Sequence, residues 1–241
     1  MAQVAARLDQ QKDNLCGPFC VARILDVDQD LVALRAGTAL PPPGGRPSVP
    51  PGARSSTAYT TELRTVPDAE SGTSPEGLMR AIRELSGGAL ESVPVTGDWT
   101  AEKVTELVDR ATASGARLIA NVRTGRLWGS HASAEQLLAE LRGAAPEGPA
   151  PDWDVGHFVE LNLVVRVRGG SLVVVHDTYP SLGLGGYHVQ PPRAIAAALL
   201  RGDGREGGIL AVVPAGQSDA MESLAAELGL RVGAWDNGSR S

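Results

Sequence analysis

A cysteine stands where a helix is expected to begin, in a Cys-Gly-Pro motif at residues 16–18. Pro18 suits a first helical turn, where a missing N–H costs nothing, and Asn14 or Asp13 can cap the helix. The helix has an apolar stripe formed by Val21, Ile24 and Leu25. Unpaired N–H groups in a first turn favour a thiolate, and a nearby histidine helps to lower a cysteine pKa from about 8.5 to roughly 3.5–7.5. Cys16 is therefore a candidate nucleophile.

Structural interpretations of the two cysteines compete with this one. A cysteine on an apolar helix is most often a small core residue, and we interpret Cys20 in this way. Because Cys16 and Cys20 lie four residues apart on one predicted helix, they are poorly placed for a disulfide. A zinc site on this pair would need two more ligands from among the four histidines. We expect no metal and no organic cofactor.

Three further segments match a known arrangement around Cys16. Gln10 lies six residues before it, His157 opens a later strand in Gly-His-Phe-Val, and Asp177 follows in His-Asp-Thr-Tyr-Pro. This order resembles the papain-like cysteine peptidases, and most closely the bacteriocin-processing (double-glycine leader) peptidases and their stand-alone relatives. The resemblance implies a Cys16, His157 and Asp177 triad. It also implies an oxyanion hole formed by the side-chain amide of Gln10 and the backbone N–H of Cys16.

The composition of the 241 residues, 42% of them hydrophobic, suits one sizeable domain with insertions. Net charge is −6 and the 22 lysines and arginines are scattered, so we expect no nucleic-acid partner. No apolar run reaches about 18 residues and no apolar segment opens the chain, so we expect no membrane partner and a cytoplasmic location. Residues 1–215 would form a single catalytic domain, followed by a C-terminal helix and a frayed tail at 216–241.

Helical and strand patterns follow one another in an order typical of an α+β fold. Helix starts are predicted at Asp28, Ser74, Thr100, Ser133, Pro192 and Asp219. Strands are predicted at 118–122, 158–167, 172–175, 187–190 and 208–213. The resemblance implies a papain-like version of this class, in which an N-terminal helical part carries the Cys helix and packs on a C-terminal antiparallel sheet.

The hairpin after His157 decides whether the implied triad can form. Alternation places one set of its residues on a core-facing side, namely His157, Val159, Leu161, Leu163, Val165 and Val167. A tight turn at the Gly-Gly pair would place Asp177 opposite Asn162, away from His157. A β-bulge near Glu160 would bring the two together. Asn162 and His176 are the nearest substitutes for Asp177.

Two Pro/Gly-rich segments, residues 37–56 and 143–152, have neither helical nor strand patterns. We interpret both as mobile insertions that form the walls of a cleft, because the second leads directly to His157. For the first, a surface insertion without function is an equal alternative.

The sequence thus predicts a cysteine-dependent hydrolase that cleaves a peptide or amide bond through a thioester acyl-enzyme. Its partner would be a peptide or an amide-bearing small molecule, within a narrow substrate range. An acyltransferase that forms amides in a biosynthetic pathway needs the same triad and differs in excluding water. A non-catalytic relative that holds a peptide in the cleft is the alternative from another class.

Overall fold

The structure is a computed structural model and describes residues 10–44 and 48–240. The helices of this part of the chain are α1 Cys16–Leu25, α2 Gln29–Ala36, α3 Pro75–Leu85, α4 Ala101–Ala113, α5 Ala134–Leu141, α6 Pro192–Leu200 and α7 Ser218–Glu227. The strands are β1 Ala39–Leu40, β2 Arg64–Thr65, β3 Leu90–Thr96, β4 Arg117–Arg123, β5 Gly156–Val167, β6 Gly170–His176, β7 Tyr187–Gln190, β8 Gly208–Pro214 and β9 Arg231–Val232. No helix among these residues is long and apolar enough to cross a membrane.

Seven strands form one antiparallel sheet in the order β7-β6-β5-β4-β8-β3-β9, while β1 and β2 form a separate short parallel pair. Helices cover both faces of the sheet. One face packs on α1, α2 and α3, and the other packs on α4, α6 and α7. The expected α+β class is therefore confirmed. The sheet is not purely C-terminal, because β3 and β4 come from the middle of the chain.

Burial on both faces explains why the consecutive residues Leu118, Ile119 and Ala120 of the central strand β4 are all apolar. Leu118 and Ala120 belong to the core cluster under α4 and α6, whereas Ile119 belongs to the cluster under α1 and α3. The strand β8 on its other side alternates between the two clusters in the same way. The middle of the sheet is thus a rigid support for the strand β5 that begins at Gly156.

Most helix starts agree with the predicted capping residues. The side chains of Asp28, Ser74, Thr100 and Ser133 accept backbone N–H groups, and Ser133 forms the predicted capping box with Gln136. For α1 the predicted cap is wrong. Its N-cap is Leu15, and no side chain caps the helix. The Asp13 carboxylate accepts hydrogen bonds from Ser55 and Ser56 instead, and Asn14 has left-handed backbone geometry, with φ 62°.

Two elements of the sheet were not predicted from the sequence. Strand β3 contains Pro94, a residue that argues against a central strand because it lacks an N–H. Only Val95 and Thr96 of β3 pair with β9, so Pro94 lies beside an almost open edge where the missing donor does little harm. The strand β9 itself has two residues, too few for an alternation pattern.

The predicted fraying of the tail is wrong as far as residue 240. Asn237 is buried and donates through Nδ2 to the Thr73 carbonyl at 3.0 Å. The Ser239 hydroxyl donates to the Ser71 carbonyl at 3.0 Å, and the backbone N–H of Arg240 donates to the Glu70 carbonyl at 2.9 Å. These bonds fasten the tail to the segment before α3. Polar tail residues gave no sign in the sequence of such distant partners.

The hairpin of β5 and β6 contains the predicted bulge. Its turn joins Val167 to Gly170, one residue earlier than expected, and the register shifts between Leu161 and Leu163. Asn162 is the extra residue. Because one inserted residue reverses the alternation of all later side chains, the predicted single core-facing side is wrong beyond Leu161. The three residues concerned are exposed, at 46% for Leu163, 39% for Val165 and 48% for Val167.

Gly17 allows α1 to lie close to its neighbours, and we predict that Gly17→Ala is destabilising. A Cβ at this position would lie 2.9 Å from Leu78 Cδ1 and 3.2 Å from Phe158 Cδ2. Overpacking should lower the free energy of unfolding by about 1–3 kcal/mol, partly offset by up to about 1 kcal/mol of helix preference for alanine. Urea unfolding measures the change. Gly233→Ala is the control, because nothing lies within 4 Å of its added Cβ; equal midpoints for the two variants would contradict the close packing.

Candidate active site

Cys16 opens α1 and lines a cavity of about 270 Å³. No side chain caps the helix, and the backbone N–H of Gly17 in its first turn donates to the Cys16 thiol. Burial alone would raise the pKa of the Cys16 thiol. The hydrogen bond and the charge of His157 lower this pKa by more than burial raises it, so the pKa lies below the ordinary value. Cys20, one turn later, is the buried core residue that the sequence predicted. Burial raises the pKa of the Cys20 thiol well above the ordinary value.

His157, at the start of β5, is 2% exposed and faces both the thiol and Asp177. Its Nε2 lies 3.1 Å from Asp177 Oδ1, which leaves Nδ1 for the Cys16 thiol. Burial lowers the pKa of His157, but the charge and hydrogen bond of Asp177 outweigh burial, and the pKa rises to about 10. The lowered pKa of Cys16 and the raised pKa of His157 therefore both favour a thiolate facing an imidazolium.

Asp177 reaches His157 because of the bulge in β5. The ladder of β6 ends one residue before Asp177, in a register that continues to Val159. Val159 and His157 are two residues apart on one strand face, so Asp177 and His157 are diagonal neighbours. Without the extra residue Asn162, Asp177 would lie opposite Glu160 on the other face. The structure thus brings Cys16, His157 and Asp177 together.

The Asp177 carboxylate is 3% exposed, and polar groups surround both of its oxygens. Oδ1 accepts from the backbone N–H groups of Thr178 at 2.7 Å and Tyr179 at 3.1 Å, and Oδ2 lies 3.9 Å from His188 Nε2. Burial raises the pKa of Asp177, but His157 and then His188 hold it well below its usual range. Asp177 therefore stays ionised beside the imidazolium.

Thr178 and Gln11 fix the proton of His157, and neither was a predicted site residue. Gln11 Nε2 donates to the Lys12 carbonyl at 3.2 Å, so its Oε1 is the atom that accepts from the Thr178 hydroxyl at 2.6 Å. The single hydroxyl hydrogen is then in use. Thr178 Oγ1, 3.2 Å from His157 Nε2, must accept there, which places a hydrogen on Nε2. Gln11 follows Gln10 and Thr178 follows Asp177 in the sequence, but only the fold shows that Gln11 and Thr178 meet.

His188, in β7, supports Asp177 from behind and was also not predicted. The amide of Gln190 is oriented by Trp128, whose N–H donates to Oε1 and whose carbonyl accepts from Nε2, both at 2.8 Å. Gln190 Nε2 also lies 3.1 Å from His188 Nδ1, so Nδ1 is the acceptor and Nε2 carries the hydrogen that faces Asp177. The alternation of His188 and Gln190 on one strand face was the sequence signal for this pair.

An ion pair to the buried carboxylate of Glu160 joins the elements that carry the three residues. Arg23, in the last turn of α1, donates through Nε to Glu160 at 2.7 Å and through Nη1 to the Asp177 carbonyl at 2.9 Å. His176, one of the two substitutes considered for Asp177, lies 2.8 Å from Arg23 Nη1 and stacks on Tyr187 at 3.9 Å. Burial and the Arg23 charge lower the pKa of His176 to about 4. His176 therefore supports the site without facing His157.

Gln10 does not line the cavity in this structure. Its side-chain Nε2 donates to the Arg54 carbonyl at 2.6 Å. Gln11, the next residue, lines the cavity in its place. Of the two expected oxyanion donors, the backbone N–H of Cys16 is at the cavity, and the Gln10 amide is occupied elsewhere.

Aromatic rings, the first Pro/Gly-rich segment and the tail line the cavity. Trp153 lies edge-on to the His157 ring at 5.1 Å, and Tyr179 stacks near it at 6.1 Å. Ser48 and Val49, from the first Pro/Gly-rich segment, line the cavity together with tail residues 237 and 239, whereas residues 45–47 of that segment lie outside the described chain. The second segment, 143–152, does not line it. That segment packs on Trp128 and Arg193 instead, so its expected role as a wall is wrong.

Comparison with protein families gives one match, over residues 1–236. The chain belongs to DUF6885, a family of unknown function. No curated protein and no solved structure is significantly similar to the chain. The proposed function therefore rests on the geometry of the site.

The opposite pKa shifts of the two cysteines predict selective labelling. At pH 6 Cys16 should react with iodoacetamide about 100-fold faster than Cys20, because an ordinary thiol is less than about 1% thiolate at that pH. The rate at Cys16 should fall only when acid protonates the thiolate, and His157 should lose its proton as pH rises through about 10. His157→Ala should move the Cys16 profile to higher pH. Mass spectrometry of the two cysteine positions measures both rates, and equal slow labelling would contradict the ion pair.

The neighbouring glutamines provide a matched pair of variants. Gln11→Leu should shift the pH profile of Cys16 labelling, because the Thr178 hydroxyl loses its acceptor and becomes free to donate to Asp177 Oδ1, 3.4 Å away, which weakens the hold of that oxygen on the His157 Nε2 hydrogen. Gln10→Leu should leave that profile unchanged, since the side-chain amide of Gln10 donates to the Arg54 carbonyl rather than to Thr178. Thiol labelling across pH 4–9 compares them. A larger shift for the Gln10 variant would reverse the assignment.

Proposed function

We propose that the protein is a cysteine-dependent hydrolase with a papain-like catalytic fold, acting on a peptide or amide bond. The observation that carries the proposal is the contact of Cys16 with His157, whose other ring nitrogen lies 3.1 Å from a buried, ionised Asp177. A module that merely holds a peptide needs neither a lowered thiol pKa nor an oriented imidazole. A thiol at a helix start, opposite a histidine that opens a strand, also suits the papain-like arrangement.

In the first half of the proposed reaction, the Cys16 thiolate attacks the carbonyl carbon. The oxyanion that forms accepts from the backbone N–H of Cys16. The imidazolium of His157 then gives its Nδ1 proton to the leaving amine, and a thioester remains on Cys16. A contribution from Gln10 would require its amide to leave the Arg54 carbonyl.

In the second half, the now neutral His157 takes a proton from water at Nδ1 while the water oxygen attacks the thioester. The acid product leaves, and the thiolate and imidazolium are restored. Asp177 remains ionised throughout and holds the Nε2 hydrogen, so the ring does not turn away. Thr178 accepts the same hydrogen and acts in the same direction.

Amide formation is the second candidate, and the burial of His157 favours it. His157 is 2% exposed, with Trp153 and Tyr179 beside its ring. An amine bound in the cavity would compete with a limited supply of water for the thioester. The chemistry of Cys16, His157 and Asp177 is the same in both reactions.

A narrow substrate range follows from the size and walls of the cavity. About 270 Å³ holds a small molecule or a few atoms of a peptide, not a folded chain. Its walls come from the segment at 48–49, the tail at 237–239 and the aromatic pair, so a substrate must fit several surfaces together.

The test is formation of an acyl-enzyme from a small activated ester. With p-nitrophenyl acetate we expect acetylation of Cys16, visible by mass spectrometry of the intact chain, and its loss in Cys16→Ala. His157→Ala should slow acylation by about 10²–10⁴-fold, as expected for a general acid–base. Added amine should divert the thioester to amide if the acyltransferase assignment holds. Absence of a Cys16 adduct would contradict catalysis, and efficient Cys16-dependent digestion of casein would contradict the narrow range.

A further inference from the structure

A buried arginine in a rare backbone conformation lies beside the cavity. Arg201 follows the last residue of α6, is 2% exposed and has φ 58° and ψ −71°. A residue with a side chain seldom adopts this region, and such residues persist where the surroundings hold them for a purpose. Arg201 lines the same cavity as Cys16 and His157.

The guanidinium of Arg201 is held firmly but retains free donors. Nε and Nη2 donate to the two carboxylate oxygens of Asp203 at 3.1 and 2.8 Å, and Nη1 reaches Asn121 Oδ1 at 3.4 Å. Asn121 Oδ1 also accepts from Trp235 Nε1 at 3.2 Å. A guanidinium has five N–H groups, and these bonds use three. Within residues 10–44 and 48–240 the other two, one on Nη1 and one on Nη2, have no partner.

The guanidinium lies on the side of β5 that carries the Cys helix. A Cβ on Gly156 would be 2.8 Å from Arg201 Nη2 and 3.1 Å from Nη1, so the guanidinium occupies the space where that side chain would project. Alternation puts Gly156 on the same strand face as Phe158, which packs in the cluster of α1. The Arg201 guanidinium therefore lies beside Gly156, the residue that precedes His157, on the face of β5 that packs on the Cys16 helix.

A second arginine adds positive charge that the described chain does not neutralise. Arg205 lines the cavity and donates through Nη2 to the Ala69 carbonyl at 2.6 Å, and it has no ion pair within the described ranges. Asp203, the partner of Arg201, is shared with Arg123 Nη1 at 3.3 Å. Asp13 and Asp68 also line the cavity, but neither pairs with these arginines.

We propose that Arg201 and Arg205 form an anion subsite of this cavity, which binds a carboxylate of the substrate close to the bond that Cys16 attacks. This inference rests on the proposed function and specifies its substrate class as one that carries a carboxylate. Planar guanidinium donors match a carboxylate in geometry, and a partly enclosed cavity strengthens the attraction. The volume of about 270 Å³ keeps the carboxylate and the reacting carbonyl within one small group.

Two alkylating reagents that differ only in charge test the subsite. Iodoacetate carries a carboxylate where iodoacetamide carries a neutral amide, and both modify Cys16. The ratio of their rate constants, at pH 7 and low salt, should exceed the ratio for the neutral thiol N-acetylcysteine amide. Because the His157 imidazolium also attracts iodoacetate, the decisive comparison is between variants of the full chain.

Arg205→Gln is the test variant, since its side chain is half-buried and its replacement spares the strained backbone at Arg201. We expect it to lower the iodoacetate to iodoacetamide ratio about threefold or more, as expected for loss of one charge near the thiol. Arg110→Gln is the matched control. It also removes one positive charge, from an exposed pair with Glu227, and should leave the ratio in place.

The outcomes separate this inference from the proposed function. A lower ratio in the Arg205 variant alone supports the subsite. Equal ratios in all three proteins, with rapid reaction of Cys16 in each, overturn the subsite and leave the thiolate standing. An equal fall in the Arg110 variant also overturns it, because the effect is then one of net charge. Slow reaction of Cys16 with both reagents overturns the proposed function itself.

Discussion

The ion pair between the half-buried Arg23 and the buried Glu160 holds the site together. Glu160 is 1% exposed and accepts from Arg23 at 2.7 Å and from Arg117 at 2.8 Å. Through Arg23 it joins the last turn of α1 to the end of β6, where two carbonyls, those of residues 176 and 177, also accept from the guanidinium. A buried carboxylate without a partner is costly, and here two arginines share the charge of Glu160. The helix of Cys16, the strand of His157 and the turn of Asp177 are thus fixed by one set of charges.

Local signals in the sequence were sufficient for the helices and for most of the sheet. Ser74, Thr100 and Ser133 cap their helices as their types and spacing predicted, because a cap depends on residues within one turn. The apolar residues of β4 and β8 were predicted to form strands for a similar reason. Strand β3 was not, since Pro94 is tolerated only through its position beside the short β9, which depends on the whole sheet.

Three of the predicted site residues meet in the fold, whereas Gln10 does not line the cavity and the connections between the residues were harder to predict. Cys16, His157 and Asp177 do meet, and the bulge at Asn162 that their meeting required is present. The same extra residue exposes Leu163, a reversal that alternation alone does not indicate. The supporting roles of Gln11, Thr178 and His188 depend on hydrogen bonds between distant segments. Residue types identify such groups as polar, but only the fold decides which of them face one another.

The wall of the cavity and the support of His157 share one short segment, residues 11–13. Gln11 accepts from Thr178 beside the imidazole. Two residues later, the Asp13 carboxylate accepts from the hydroxyl of Ser55 and the N–H of Ser56, and these bonds hold the Pro/Gly-rich segment whose residues 48–49 line the cavity. A displacement of the Pro/Gly-rich segment would move Asp13 and, with it, Gln11, which accepts the hydrogen bond from Thr178. Of the two interpretations of residues 37–56, a functionless insertion would not be tied to the segment that orients His157. Its anchoring there favours a wall of the site.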